Sequence, residues 1–385
     1  MRSYNVISCD GHLEIPGEGW LARVPKKFQP LAPKLINLPE GGEAWLIEGY
    51  PLIHNGTNLA AGGAFKLTGA SYWTENGDPA PGTGGPLQRL REQDLDGLDA
   101  ELIYPPVFIS RLIETMSDRS AYLAIVRAYN EWLVEEYCSL APDRLIAVGV
   151  IPTTSIQDAL SELERCHQLG MKAVTIGQFP NGSSQPNTAD DAFWERAISY
   201  GIALTAHVAV GSPNHPMLLR SAAGKFDAPM VLMRSCVPAI LPFMAETIAS
   251  GVFDRFPTLQ FYIAESNAGW VPEIMFLMND NYTTFKSVID FKFEKLPSQY
   301  VLDHFLFGIY KDPIALDLIE HLPLANIMWC SDFPHTVTTY PNSRQWLDRM
   351  FEKLMPEAHR KVLVENPCRF FGLQEDRSLT ATPDY

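Results

Sequence analysis

The chain has 385 residues, 46% of them hydrophobic and 19% charged, which allows a sizeable buried core and argues against disorder. A formal net charge of −15 speaks against nucleic acid and anionic membrane surfaces, both of which need a basic face. A small anionic substrate stays open, since one metal ion or arginine reverses the local field inside a pocket.

Six cysteines (Cys9, Cys138, Cys166, Cys236, Cys330 and Cys368) lie far apart with no CxxC pair, so no disulfide framework is expected. The N-terminus shows no basic segment followed by an apolar core, and no run of about 18 apolar residues could span a bilayer. A cytoplasmic location is the expectation.

"YNVISCD" (4–10) predicts a first strand. From 17 to 92 prolines, glycines and polar residues dominate, with brief strand-like pieces such as "AWLIEGYPLI" and a loop composition at 76–86, so this stretch is expected to be an insertion or lid after the first strand. Regular alternation follows. "RLREQDLDGLD" predicts a helix ending near Gly97, "AELIYPP" a strand, and "DRSAYLAIVRAYNEWLVEEYCSLAP" a long amphipathic helix with an Asp or Ser cap. "RLIAVGVIP", "MKAVTIG", "IALTAHVAV" and "LQFYIAES" predict strands, separated by helices over "SIQDALSELERCHQLG", "TADDAFWERAISYG" and 235–250. Helical segments near 270–290 and 312–322, a seventh strand at "HFLFGIY", an eighth at "NIMWCSD", a helix through 343–355 and a C-terminal helix near "FFGL" complete the pattern. Near-continuous apolar strands are buried on both faces, as in a parallel sheet. This many β/α units, without a dinucleotide glycine fingerprint, predict an α/β fold: one (β/α)8 TIM barrel over 1–385, with 356–385 as C-terminal helix and tail.

Several apolar runs end in a polar group. Asp10 and His12 close the first strand, His207 the fifth, Glu265 the sixth and Asp332 the eighth. In such a barrel these ends form the active-site face. Side chains alternate along a strand, so Asp10 and His12 share a side while Gly11 points away. A single strand-end His or Asp is more often a hydrogen-bonded or capping group. Repeated at four strand ends, the pattern favours a divalent ion held by Asp10, His12, His207 and Asp332, with Zn2+ expected first and Mn2+ second. His54, His167, His321 and His359 read as structural or surface residues, and His215 and His304 are left open.

The residues also resemble the amidohydrolase-related family typified by aminocarboxymuconate-semialdehyde decarboxylase and γ-resorcylate decarboxylase. The resemblance runs over essentially the whole chain and is carried by "DGHLEIP", "REQDLDGLDAELIYPP", "DRLIAVGVIP", "TAHV", "ESNAGWVP", "WCSDFPH" and "ENPCRFFGL" in that order. It implies a metal-dependent distorted barrel, with the metal roles falling on Asp10, His12, His207 and Asp332. It also departs at one place: the best-known decarboxylases carry a catalytic His where this chain has Glu265. A carboxylate there could relay protons or bind the metal but cannot act as an imidazolium.

Two chemistries share this cluster. In decarboxylation of a small aromatic or unsaturated carboxylic acid, Asp332 protonates the ring carbon that carries the carboxylate. In hydrolysis of an amide, lactone or C–C bond, Asp332 or Glu265 takes a proton from activated water. A non-catalytic binding barrel is the third possibility, and it would hold no stoichiometric metal. Arg234 and Arg111 are candidate carboxylate clamps, Trp270, Tyr104 and Phe108 candidate walls of an aromatic pocket, and His335 a candidate substrate or second-layer contact. A homodimer is expected from the resemblance and from the apolar surplus of the helix at 121–140.

Overall fold

The computed structural model describes residues 2–39, 41–52, 59, 61–63, 69–106, 109, 113–207, 237–289 and 292–375. Arg234, Arg111, Phe108, His215 and His54 lie outside them. The first strand, β1 (Ile7–His12), is buried at every position. A short helix (Glu18–Leu21) follows, then a small antiparallel sheet of β2 (Lys34–Asn37), β3 (Glu43–Ile47) and β4 (Tyr50–Leu52). Seven further strands join β1 in one parallel sheet: β5 (Ala100–Tyr104), β6 (Leu145–Ile151), β7 (Ala173–Ile176), β8 (Ala203–His207), β9 (Phe261–Ala264), β10 (Phe305–Ile309) and β11 (Ile327–Trp329). Each pairs in parallel with the next, with helices covering the outside, as in a (β/α)8 barrel.

The loop after β11 closes the ring against β1. Asp332 N–H donates to Asp10 C=O at 3.0 Å, His12 N–H to Phe333 C=O at 2.7 Å, and Ser331 N–H to Ser8 Oγ at 2.9 Å. On its other edge β1 carries one extra residue against β5, since Ser8 pairs with Glu101 but Gly11 with Ile103. This bulge bends the strand end that bears Asp10 and His12.

Local signals set the helix boundaries. Asp118 and Ser155 accept from the backbone N–H three residues on, at the starts of helices Arg119–Trp132 and Ile156–Gln168. Gly97 ends helix Pro86–Asp96 at φ 76°, a backbone that only glycine adopts cheaply. That helix has an unexpected orientation. It buries Arg89, Glu92, Gln93 and Asp96, while Leu87 and Leu95 face outward at 62% and 68% exposure.

Two differences from the sequence pattern concern the late helices. Pro297–His304 is a helix that the pattern missed, started by proline and by Gln299 Oε1 accepting from Leu296 N–H at 3.1 Å. Its last residue, His304, donates from Nδ1 to Leu259 C=O at 2.8 Å and stacks on Phe253, so it is structural. The helix expected at 312–322 is confined to Pro313–Asp317.

The apolar surplus of the long helix has an internal use. Tyr122, Tyr129 and Trp132 on Arg119–Trp132 belong to a second core with Trp20, Trp45 and Ile47 from the 17–92 stretch. That surplus is therefore covered within the chain and gives no ground for self-association. Among the described residues no helix is long and apolar enough to cross a membrane.

Candidate metal centre

The residue between Asp10 and His12 has to be glycine. A Cβ on Gly11 would lie 1.9 Å from Glu101 Oε1 and 2.8 Å from an Arg89 guanidinium nitrogen. Arg89 is itself the keystone of this wall. Its Nε donates to Glu101 Oε2 at 2.7 Å, Nη1 to His12 C=O at 3.0 Å and Nη2 to Phe333 C=O at 3.2 Å. One buried guanidinium thus fixes the backbone of both strand ends that meet at the closure. Sequence reasoning missed Arg89 because it sits in a helix whose polar face turns inward.

The strand ends converge on one another. His12 Nε2 lies 3.0 Å from His207 Nε2, 3.4 Å from Asp10 Oδ1 and 3.5 Å from Asp332 Oδ1. His207 Nε2 lies 3.3 Å from Asp10 Oδ2 and 3.8 Å from Glu265 Oε2. His335 joins them, with Nδ1 3.1 Å from Asp332 Oδ1 and Nε2 3.4 Å from Glu14 Oε1. Donor atoms of Asp10, His12 and His207 come within 4.8 Å of one another, as do those of Glu265, Asp332 and His335 and those of His12, Glu14 and His335. Glu265 and Asp332 leave their strands with left-handed backbones (φ 52° and 53°), a strained conformation for residues with side chains. The loop carrying Glu265 is pinned by Asp312, whose Oδ2 accepts from Ala268 N–H at 2.6 Å and Gly269 N–H at 2.8 Å.

The electrostatics of these groups are uneven. Burial pushes the Asp10 carboxyl up, with His207 pulling it back. His12 is held well below the usual histidine range by burial, then by repulsion from His335 and His207. For His207 burial acts downward, but Asp10, Glu265 and Asp332 together outweigh it and the net shift is upward. His335 is raised well above its usual range because Asp332 and Glu14 overcome its burial. His12 Nδ1 faces Pro105 C=O at 3.1 Å, and a donor there leaves the Nε2 lone pair turned toward the cluster.

The hydrogen-bond account does not close. Asp10 and Asp332 are fully buried, yet none of their four carboxylate oxygens has a hydrogen-bond partner. Imidazole nitrogens of His12, His207 and His335 approach them to 3.1–3.5 Å. Buried carboxylates in that state are costly unless a cation sits among them. Two carboxylates and two imidazole Nε2 atoms also form a donor set that suits Zn2+ or Mn2+. The residues present fit a divalent ion.

Of the proposed pocket walls, Tyr104 is buried beside the cluster, its ring 5.9 Å from that of His12 and 5.7 Å from that of His207. Trp270 is turned into the fold: its Nε1 donates to Ser266 C=O at 3.1 Å and its ring meets Phe307 edge-on. The 17–92 stretch reaches the same face. Ala61 N–H donates to Pro334 C=O at 2.7 Å, between Asp332 and His335. The residue that sequence reasoning left without a role is Glu14, although the two-residue alternation from Asp10 through His12 leads to it.

A family model described as amidohydrolase matches residues 111–373. That span includes His207, Glu265, Asp332 and His335; Asp10, His12 and Glu14 lie before it. Among solved structures, an amidohydrolase from Mycobacterium avium subsp. paratuberculosis K-10 is 19% identical with a TM-score of 0.74, over 97% of this chain and 99% of that one. The 2,6-dihydroxybenzoate decarboxylase from Rhizobium is 17% identical with a TM-score of 0.65, over 97% and 99%. A dihydroxybenzoic acid decarboxylase from Polaromonas sp. JS666, solved with bound manganese and the inhibitor 2-nitroresorcinol, is 16% identical with a TM-score of 0.65, over 99% and 100%. At these identities the likeness establishes the shared fold.

Proposed function

The chain belongs to the amidohydrolase family, and on that premise we propose that it is a divalent-metal-dependent decarboxylase of a small aromatic or unsaturated carboxylic acid. The observation that carries this is the set of four partnerless oxygens on Asp10 and Asp332, buried against two imidazoles at the mouth of the barrel. Asp10, His12, His207 and Asp332 would hold the ion. Mn2+ is the first to test, because a neighbour of the same fold was solved with manganese, and Zn2+ is the second. When bound, the ion would supply positive charge that draws electrons from the substrate's carboxylate and an adjacent oxygen.

The chain's own groups do the rest. Asp332 delivers a proton to the ring carbon that bears the carboxylate. The bond from that carbon to the carboxylate then breaks, CO2 leaves, and the electron pair returns to the ring. Glu265 lies in one donor group with Asp332 and His335, placed to pass a proton from water back to Asp332. Buried walls, with Tyr104 beside the cluster, keep bulk water from competing. The 17–92 stretch acts as a cover within a single domain, supported by its contact with Pro334 and its shared core with the long helix.

The alternative is hydrolysis, which Glu265 favours because a second carboxylate beside His207 can accept a proton from water. One experiment separates the two. The purified chain, loaded with Mn2+, is screened over benzoates, hydroxybenzoates and unsaturated acids for CO2 release, and in parallel over amides, lactones and 1,3-diketones for 18O incorporation from labelled water. CO2 without 18O in the organic product is the expected result. A chain that holds no stoichiometric metal and turns over neither class would be a binding barrel. Self-association as a homodimer is proposed through a different surface from the one first expected. Phe276, Phe285, Val288 and Ile289 are exposed on and after helix Val271–Phe285, and light scattering at micromolar concentration tests it. Cys9, Cys138, Cys166 and Cys330 are free thiols, which supports a reducing, cytoplasmic location.

A further inference from the structure

Glu14 is 1% exposed and belongs to no part of the mechanism above. Its Oε1 lies 3.4 Å from His335 Nε2, and the opposite ring nitrogen, Nδ1, lies 3.1 Å from Asp332 Oδ1. The His335 ring rests face to face on His12, with centroids 3.9 Å apart and planes 22° from parallel. An imidazole is rigid, with its two nitrogens in one plane. Once Glu14 engages one nitrogen and His12 covers one face, the other nitrogen has a single direction left, and that direction is Asp332. The Asp332 carboxylate needs such a hold. It springs from a left-handed backbone, and of the two imidazoles beside it His335 comes nearer, at 3.1 Å against 3.5 Å for His12.

We propose that Glu14 is a positioning residue: it fixes the ring of His335, and His335 fixes the Asp332 carboxylate so that it faces His12 and the other metal ligands. This rests on the assignment of Asp332 as a ligand. A second ion among His12, Glu14 and His335 fits less well, although their donors also approach within 4.8 Å. Stacked rings send their nitrogen lone pairs into nearly parallel planes that do not converge, and His12 Nδ1 is already engaged by Pro105.

The test is a double-mutant cycle on Mn2+ affinity, read by titration calorimetry on the full chain after chelator stripping. Glu14→Ala and His335→Ala are each expected to weaken binding by about 10–100-fold, the usual effect of removing a group that orients a ligand. The double variant should be no weaker than His335→Ala alone, since Glu14 acts only through that ring. His335→Asn places an amide nitrogen near the Nδ1 position and should recover most of the affinity. Glu14→Gln, which keeps an acceptor and the side-chain volume, should recover it also, and it replaces Glu14→Ala if that variant does not fold. Losses that multiply in the double variant, unchanged singles, failure of both rescues, or two Mn2+ per chain would each overturn the proposal. Wild-type chain that binds no Mn2+ would instead remove the metal centre itself, and this inference with it.

Discussion

Two buried polar clusters flank Gly11, and they are completed in opposite ways. On one side Arg89 spends its guanidinium on Glu101, on His12 C=O and on Phe333 C=O, and Gln93 Nε2 adds a contact to Glu101, so that both charges are satisfied even though Gln93 Oε1 has no partner. On the other side Asp10 and Asp332 leave all their oxygens without partners. Burial is equally complete in both, so burial alone does not mark a functional site. What separates them is closure: a structural ion pair satisfies itself, whereas a site leaves bonding capacity for something that arrives later.

The contrast can be broken at four points. Asp332→Asn, on the open side, should produce the largest effect: kcat falling by about 10⁴-fold, at the top of the range for general acid–base groups, with weakened metal binding. Glu265→Gln should lower kcat by about 10²–10⁴-fold while metal content stays near normal, because the four proposed ligands are intact. Metal loss along with activity would make Glu265 a ligand, and near-wild-type kcat would make it structural. Arg89→Met, on the closed side, should act first on stability, costing about 3–5 kcal/mol in denaturant titration because Glu101 is left buried without its counter-charge. If it instead left stability intact and removed only metal, the two clusters would not differ as described. Gly11→Ala should be the mildest, at about 1–3 kcal/mol of overpacking strain, and should disturb both sides since its methyl meets Glu101 and Arg89.

The sequence made the open cluster easier to read than the closed one. His207, Glu265 and Asp332 stand out because each ends or closely follows a buried strand that is almost wholly apolar. Arg89 hides because helix Pro86–Asp96 points Leu87 and Leu95 outward and its charges inward, reversing the rule by which amphipathic helices are read. Glu14 hides for another reason. It lies past the end of β1 between Leu13 and Ile15, which pack in the second core, so its local pattern looks like the edge of a loop. The dimer argument from helix Arg119–Trp132 failed because the cover for Tyr129 and Trp132 comes from Trp20 and Trp45, in an irregular stretch with no period to follow.

The seam between β1 and the loop after β11 has a consequence for how the chain is made. Ser8 and Ser331 meet across 323 residues of sequence, and Asp10 and Asp332 meet beside them. During synthesis Asp10 and His12 leave the ribosome more than 300 residues ahead of Asp332, the last of the proposed ligands. Joining such distant segments is entropically slow, and the pairing gains nothing until both ends are present. Ring closure is therefore a late event, and a chain truncated before Asp332 would lose the seam together with that proposed ligand.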